Sequence, residues 1–166
     1  MKPELAEWNG GKGIDLEAWI SCSGSVKLAV GYAEYFWPEF DLVEGSIVRS
    51  GTTSDAIQQW NKTGSGDRRT IEATMNHMHL IDIHYHDQEN QTEDLFLRLG
   101  TVLAEIYEAK LQWQFPDRPC TVSLLIPENR QEFSSYQITF WQRAHEQYSD
   151  AEQNGGGQPT ARPESK

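Results

Sequence analysis

"TEDLFLRLGTVLAEIYEAKLQWQ", residues 92–114, is the stretch that decides the fold. Its apolar residues recur every three or four positions, which predicts one amphipathic helix of about six turns. Thr92 is expected to cap its N-terminus, and Pro116 follows its C-terminus, where a helix cannot continue. The predicted core stripe consists of Leu95, Leu99, Val102, Ile106, Ala109 and Trp113.

After this helix come two runs with the alternating pattern of strands, at about residues 120–126 and 133–141. They predict a C-terminal β-hairpin with a longer loop. Helices in the middle of the chain and strands behind them predict the α+β class, with the long helix packed on a small antiparallel sheet. Residues 1–149 are expected to form a single domain. Residues 150–166 lack an apolar pattern and are expected to form a disordered tail.

Before the long helix the spacing of apolar residues is less regular. Residues 15–22, "DLEAWISC", alternate apolar and polar side chains, which predicts a half-buried strand. Residues 25–37 fit both a strand and a helix, and the Ser-Gly-Ser entry and Pro38 favour the helix. The segment 40–51, "FDLVEGSIVRSG", predicts a short strand or hairpin arm that ends at Gly51.

Two short helices are predicted between that hairpin arm and the long helix. The first begins after Thr53 or Ser54. The second begins after Asp67, which is a suitable cap residue. Its apolar face is predicted to hold Ile71, Met75 and Met78.

The composition favours a protein partner over a nucleic acid. The formal net charge is −11, and the isoelectric point lies near 4.8. Such a charge repels phosphate backbones and speeds the encounter with a basic protein. Two cysteines make no disulfide framework, and no apolar segment is long enough to serve as a signal region or a membrane span. A cytoplasmic protein that binds neither membrane nor nucleic acid is expected.

One part of the chain concentrates this negative charge. From Thr70 to Leu97 there is no Lys or Arg, which predicts an outward-facing acidic surface. The acidic residues of this window are Glu72, Asp82, Asp87, Glu89, Glu93 and Asp94. Aromatic residues interleaved with acids at 32–40 are typical of a binding hot spot for a basic partner. The predicted partner-binding residues are Tyr35, Trp37, Asp82, Asp87 and Glu89.

The same window contains two H-x-H pairs. His77 and His79 form one pair, and His84 and His86 form the other. On a strand, alternate residues project to one face, so each pair could bind Zn²⁺ or another divalent metal together with Asp82 or a second nearby carboxylate, Asp87. The alternative hypothesis is therefore a metal-dependent hydrolase that uses this histidine cluster.

The preferred hypothesis is a non-enzymatic acidic binding protein that needs no cofactor. One concrete form is an immunity-type or antitoxin-type inhibitor of a basic partner such as a nuclease toxin. No G-x-S-x-G nucleophile motif is present. A third hypothesis is a pH-responsive structural module, because carboxylates beside histidines favour the protonated imidazole. The sequence leaves the oligomeric state open.

Overall fold

The computed structural model of the chain describes residues 3–62, 67–87, 89 and 91–148. The helices are α1 (Pro3–Ala6), α2 (Trp8–Gly11), α3 (Leu16–Ser23), α4 (Val26–Phe36), α5 (Ser54–Lys62), α6 (Arg68–Met75) and α7 (Glu93–Gln114). The strands are β1 (Phe40–Val43), β2 (Ser46–Arg49), β3 (Met78–His79), β4 (Cys120–Leu125) and β5 (Gln137–Gln142). Further 3₁₀ turns lie at Leu80–Ile83, Phe133–Ser135 and Arg143–Tyr148. The predicted disordered tail at 150–166 lies outside the described residues.

The α+β class is confirmed. Strands β1 and β2 form an antiparallel hairpin within the segment 40–51, for which a short strand or hairpin arm was predicted. A second antiparallel sheet has the order β3-β5-β4, with β5 in the middle. The predicted C-terminal hairpin is the β4–β5 pair, in which Cys120 lies opposite Gln142 and Leu125 opposite Gln137. Its second strand begins at Gln137 and not at the predicted residue 133, because Phe133–Ser135 form a 3₁₀ turn. None of the helices in the described part of the chain is long and apolar enough to cross a bilayer.

The chain groups into two compact units, Met1–Trp37 and Pro38–Lys166. That residues 1–149 form a single domain stays a prediction. The first unit contains helices α1–α4. The predicted helix at 25–37 is confirmed as α4, and the backbone N–H of Leu28 donates to its cap residue Ser25 at 3.2 Å.

The strand predicted at 15–22 is wrong, because these residues form helix α3. The carboxylate of Asp15 accepts a hydrogen bond from the backbone N–H of Ala18 at 2.7 Å and so caps the helix. Leu16 and Ile20 are one helical turn apart, with Trp19 beside them. The alternating pattern fails at Trp19, and the helical spacing together with the cap accounts for the observed structure.

The second unit contains most of the buried apolar side chains of the described residues. Phe40, Tyr107 and Phe140 pack edge to face, with ring centroids 4.9–6.5 Å apart. Val48, Ile57 and Ile71 form a further buried cluster beneath helices α5 and α6. The two predicted short helices are confirmed, and their cap residues Thr53 and Asp67 accept hydrogen bonds from the backbone as expected. Met78, however, lies in strand β3 and not on the α6 face.

Helix α7 confirms the predicted bounds and corrects the predicted core stripe. Leu95, Val102 and Trp113 are 41%, 47% and 68% exposed. The buried face holds Phe96, Gly100, Leu103, Tyr107, Lys110 and Leu111. The prediction therefore chose the wrong face of the helix, since the buried face is rotated about the helix axis from the predicted one.

Two residues on the buried face, Gly100 and Lys110, are not hydrophobic, so a search for apolar residues does not find this face. A Cβ at Gly100 would lie 2.6 Å from Leu124 Cδ1, so glycine lets α7 approach the sheet closely. Lys110 is fully buried, and its Nζ donates to Glu39 Oε1 at 2.9 Å. The pairing lets a charged side chain occupy the inner face of the helix.

Candidate functional site

The acidic segment runs from the 3₁₀ turn at Leu80–Ile83 to the start of helix α7. The side chains of Asp82, Asp87 and Glu89 are exposed here. Thr92 caps α7 and orients its first turn, where Asp94 is also exposed. Exposed carboxylates therefore lie both near the 3₁₀ turn and in the first turn of α7.

Glu72 departs from the expectation that the acids of this window face outward. It lies on α6 with no solvent exposure. Its Oε1 accepts from the backbone N–H of Ile47 at 2.9 Å and from Gln142 Nε2 at 2.6 Å. Its Oε2 accepts from the backbone N–H of Gln142 at 2.8 Å and is 2.9 Å from His145 Nδ1. Glu72 therefore joins strands β2 and β5, and it contributes nothing to an outer acidic surface.

An apolar pocket of about 180 Å³ opens in this segment, and Asp87 is the exposed acid in its lining. It lies between the 3₁₀ turn and the first two turns of α7. The lining residues are Leu80, Ile81, Ile83, His84, Asp87, Gln91, Leu95, Phe96 and Leu99. A cavity of about 150 Å³ with a similar lining is known to hold a benzene-sized molecule, so this pocket has room for one side chain of a partner.

One of the residues that line the pocket, Gln91, has a buried polar atom that is unsatisfied. Gln91 Nε2 is buried and makes no hydrogen bond to any of the described residues. A buried donor without a partner costs about 1–3 kcal/mol. An acceptor that enters the pocket from outside would recover this free energy.

The predicted aromatic residues belong to the other compact unit. Tyr35 is partly exposed, and its ring contacts that of Phe36 edge to face at 6.2 Å. Trp37 is nearly half exposed at the end of α4. The predicted partner-binding residues are thus divided between the first unit and the second.

The two histidine pairs have different settings. The imidazole rings of His77 and His79 stand 5.3 Å apart at a groove along strands β3, β5 and β4. His84 follows the 3₁₀ turn and lines the apolar pocket, and His86 contacts the ring of Tyr85. Within the parts of the chain that the structure describes, no group of three or more His, Cys, Asp or Glu side chains could hold a metal ion.

Sequence reasoning missed the residues that make the pocket and the buried network. Gln91 and Leu80 carry no local signal, since their roles depend on which face of α7 turns inward. The partnership of Glu72 with His145 joins residues 73 positions apart, which no local pattern predicts.

No model of a known protein family matches the chain, and no curated protein or solved structure matches it either.

Proposed function

We propose that the chain is a non-enzymatic binding protein for a basic protein partner. The contact surface is the pocket beside Gln91 together with the exposed acids Asp82, Asp87 and Glu89. In its finer form the proposal is an inhibitor, of the immunity or antitoxin type, that covers the cationic surface of a toxin such as a nuclease. Nucleases need basic surfaces to bind phosphate backbones, and an acidic protein can occupy those surfaces.

The unsatisfied amide in an apolar pocket is the observation that carries the proposal. Binding hot spots combine a buried apolar anchor with a few polar groups and a charged rim. Here the apolar lining would take the anchor side chain, and Gln91 Nε2 would donate to a carbonyl of the same partner segment. The acids around the pocket would attract Lys or Arg residues that flank the anchor.

The net charge of −11 supports the same kind of partner. Long-range attraction between oppositely charged proteins raises the association rate and is weakened by salt. The proposed location is the cytoplasm, where the free thiols of Cys22 and Cys120 would stay reduced.

A comparison of three baits tests the proposal. The baits are the wild-type chain, the charge-reversed variant Asp82→Lys/Asp87→Lys/Glu89→Lys, and a control of equal charge, Glu108→Lys/Asp117→Lys/Glu128→Lys, made at exposed positions away from the pocket. We expect the wild type and the control to capture a basic protein from native lysate. The charge-reversed variant should associate with that purified protein at least tenfold more slowly at low salt.

Raising the salt concentration should shrink this difference, because screening removes long-range attraction. The proposal fails if all three baits associate with the captured protein at the same rate. It also fails if the captured protein is acidic.

The Gln91→Met variant tests the pocket without any partner. Removing the unsatisfied donor should raise the free energy of unfolding by about 1 kcal/mol, measured by denaturant titration. The same variant should weaken partner binding, because the partner's acceptor then loses its donor. A loss of stability in Gln91→Met would show that the amide is satisfied and would remove the main support for the proposal.

A further inference from the structure

A second feature of the molecule, independent of the proposed partner surface, is the histidine pair at the sheet. His77 immediately precedes strand β3, and His79 is its last residue. Alternate residues of an extended segment project to the same side, so both rings reach one groove. This groove of about 550 Å³ also has Gln137 and Thr139 of β5 in its lining.

Both imidazoles are held by main-chain carbonyl groups. His77 Nδ1 is hydrogen-bonded to the carbonyl oxygen of Thr74, and His79 Nδ1 to that of Ser134 at 2.7 Å. A carbonyl oxygen only accepts, so the proton of each neutral ring lies on Nδ1. Each Nε2 therefore carries a lone pair. Histidines that bind metals through Nε2 commonly donate from the other nitrogen to a carbonyl in this way.

The separation of the rings suits one shared ion. Zinc binds histidine nitrogen at about 2.0–2.1 Å, and two imidazoles on one tetrahedral ion place their centroids roughly 5 Å apart. The observed separation between the centroids of His77 and His79 is 5.3 Å. The two rings, whose planes stand at 85° to each other, thus have a centroid spacing that a single ion can bridge.

We propose that His77 and His79 form a two-histidine site for a divalent transition-metal ion of the zinc class, bound through both Nε2 atoms. Imidazole ligands suit Zn²⁺, Cu²⁺ and Ni²⁺ and do not suit Mg²⁺ or Ca²⁺. Water or an external ligand fills the remaining positions, since the described residues supply no third His, Cys, Asp or Glu ligand. The guanidinium of Arg69, which lines the same groove, favours an anion in an open position.

The other H-x-H pair provides a matched control. Each double variant removes two imidazoles at the same spacing; the two variants are His77→Ala/His79→Ala and His84→Ala/His86→Ala. Zn²⁺ alone is titrated by calorimetry into the full chain without an affinity tag. We expect one saturable site in the wild type and in His84→Ala/His86→Ala, and binding at least tenfold weaker in His77→Ala/His79→Ala.

NMR of the imidazole protons identifies the ligands directly. Zn²⁺ should shift the ring signals of His77 and His79 in the wild type and leave those of His145 unchanged. Thermal unfolding of both double variants shows whether they remain folded, as the exposed or partly exposed positions of these rings predict. The proposal is overturned if wild-type protein shows no saturable Zn²⁺ binding, or if the two variants lose binding equally.

Discussion

Helix α4 of the first unit and strand β2 of the second each carry a valine in an apolar run, yet their surroundings differ greatly. Val26 is 83% exposed, whereas Val48 is completely buried against Ile57 and Ile71. Helices α3 and α4 have no buried residue, although both are rich in apolar side chains. In the second unit each sheet is covered by a helix.

The difference between the units teaches that an apolar sequence does not by itself make a core. In residues 38–148, α6 and α7 bring long-range partners to the strands, including the buried carboxylate of Glu72. In the first unit Asp15 and Ser25 cap helices α3 and α4. Each capping side chain accepts a hydrogen bond from a backbone N–H only three residues further along the chain. Local hydrogen bonds can set a helix without burying it.

The largest expected contrast concerns the two cysteines, one in each unit. Burial, which is the largest cause, and the negative charge of Glu72 together raise the pKa of Cys120 to about 12, against a smaller lowering by Arg143. The thiolate is the reactive form, and such a pKa lowers its fraction roughly a thousandfold below that of a thiol with a pKa of 9. Cys22 is exposed on α3. We expect iodoacetamide to label Cys22 at least 100-fold faster at pH 8, as measured by peptide mass spectrometry.

Unfolding in guanidinium chloride should bring the two labelling rates together, because it removes the burial of Cys120. Equal rates in the folded protein would contradict the partial burial of Cys120 beside α7.

The Glu72→Gln substitution is expected to have the largest effect on stability. The carboxylate accepts four hydrogen bonds, and an amide replaces one acceptor by a donor that faces other donors. We expect a loss of about 3 kcal/mol in the free energy of unfolding, from denaturant titration. The control is Glu105→Gln on the exposed side of α7, which should be nearly neutral. A loss below about 1 kcal/mol in Glu72→Gln would contradict the network.

The same substitution, valine to alanine, can be made once in each unit, at Val48 and at Val26, to test the difference in burial. Val48→Ala leaves a cavity in a packed cluster and should cost about 2 kcal/mol of unfolding free energy. Val26→Ala removes an exposed side chain and introduces a better helix former, so its effect should stay within about 0.5 kcal/mol of zero. If Val26→Ala costs as much as Val48→Ala, helix α4 is packed and the contrast between the units fails.

The smallest expected effect is a pH dependence at the end of the sheet. Hydrogen bonds from the Thr121 hydroxyl and the Trp141 indole to Glu146 lower the pKa of its carboxyl group. Folding then favours the ionised carboxylate, so the contribution is present above the unfolded value of about 4.5 and is lost as pH falls through the folded value. Solvent screens this partly exposed group, which limits the contribution to about 0.5 kcal/mol or less.

Thr121→Val removes the stronger of these two causes. NMR titration should therefore give a higher pKa for Glu146 in the variant than in the wild type. An unchanged pKa at Glu146 would contradict the hydrogen bond.

Much of the fold was predictable because its signals are local. The spacing of apolar residues and the cap at Thr92 predicted α7, and the alternation at 120–126 and 133–141 predicted the hairpin. Residues 15–22 were misassigned because a short segment offered two periodicities. The exposed acids of the candidate site could be named from the sequence, but the unsatisfied amide of Gln91 could not, since its burial depends on the packing of α7.

By itself, the sequence determined the α+β class, the bounds of the long helix and the position of the acidic segment. These features depend on hydrogen bonds and side-chain spacing within a few turns or one hairpin. Only the tertiary structure decided which face of α7 is buried, that Glu72 turns inward, and that His79 is held by the carbonyl oxygen of Ser134, 55 residues away. Each of these depends on contact between distant segments, where a glycine that permits close approach or a carboxylate with four donors outweighs local hydrophobicity.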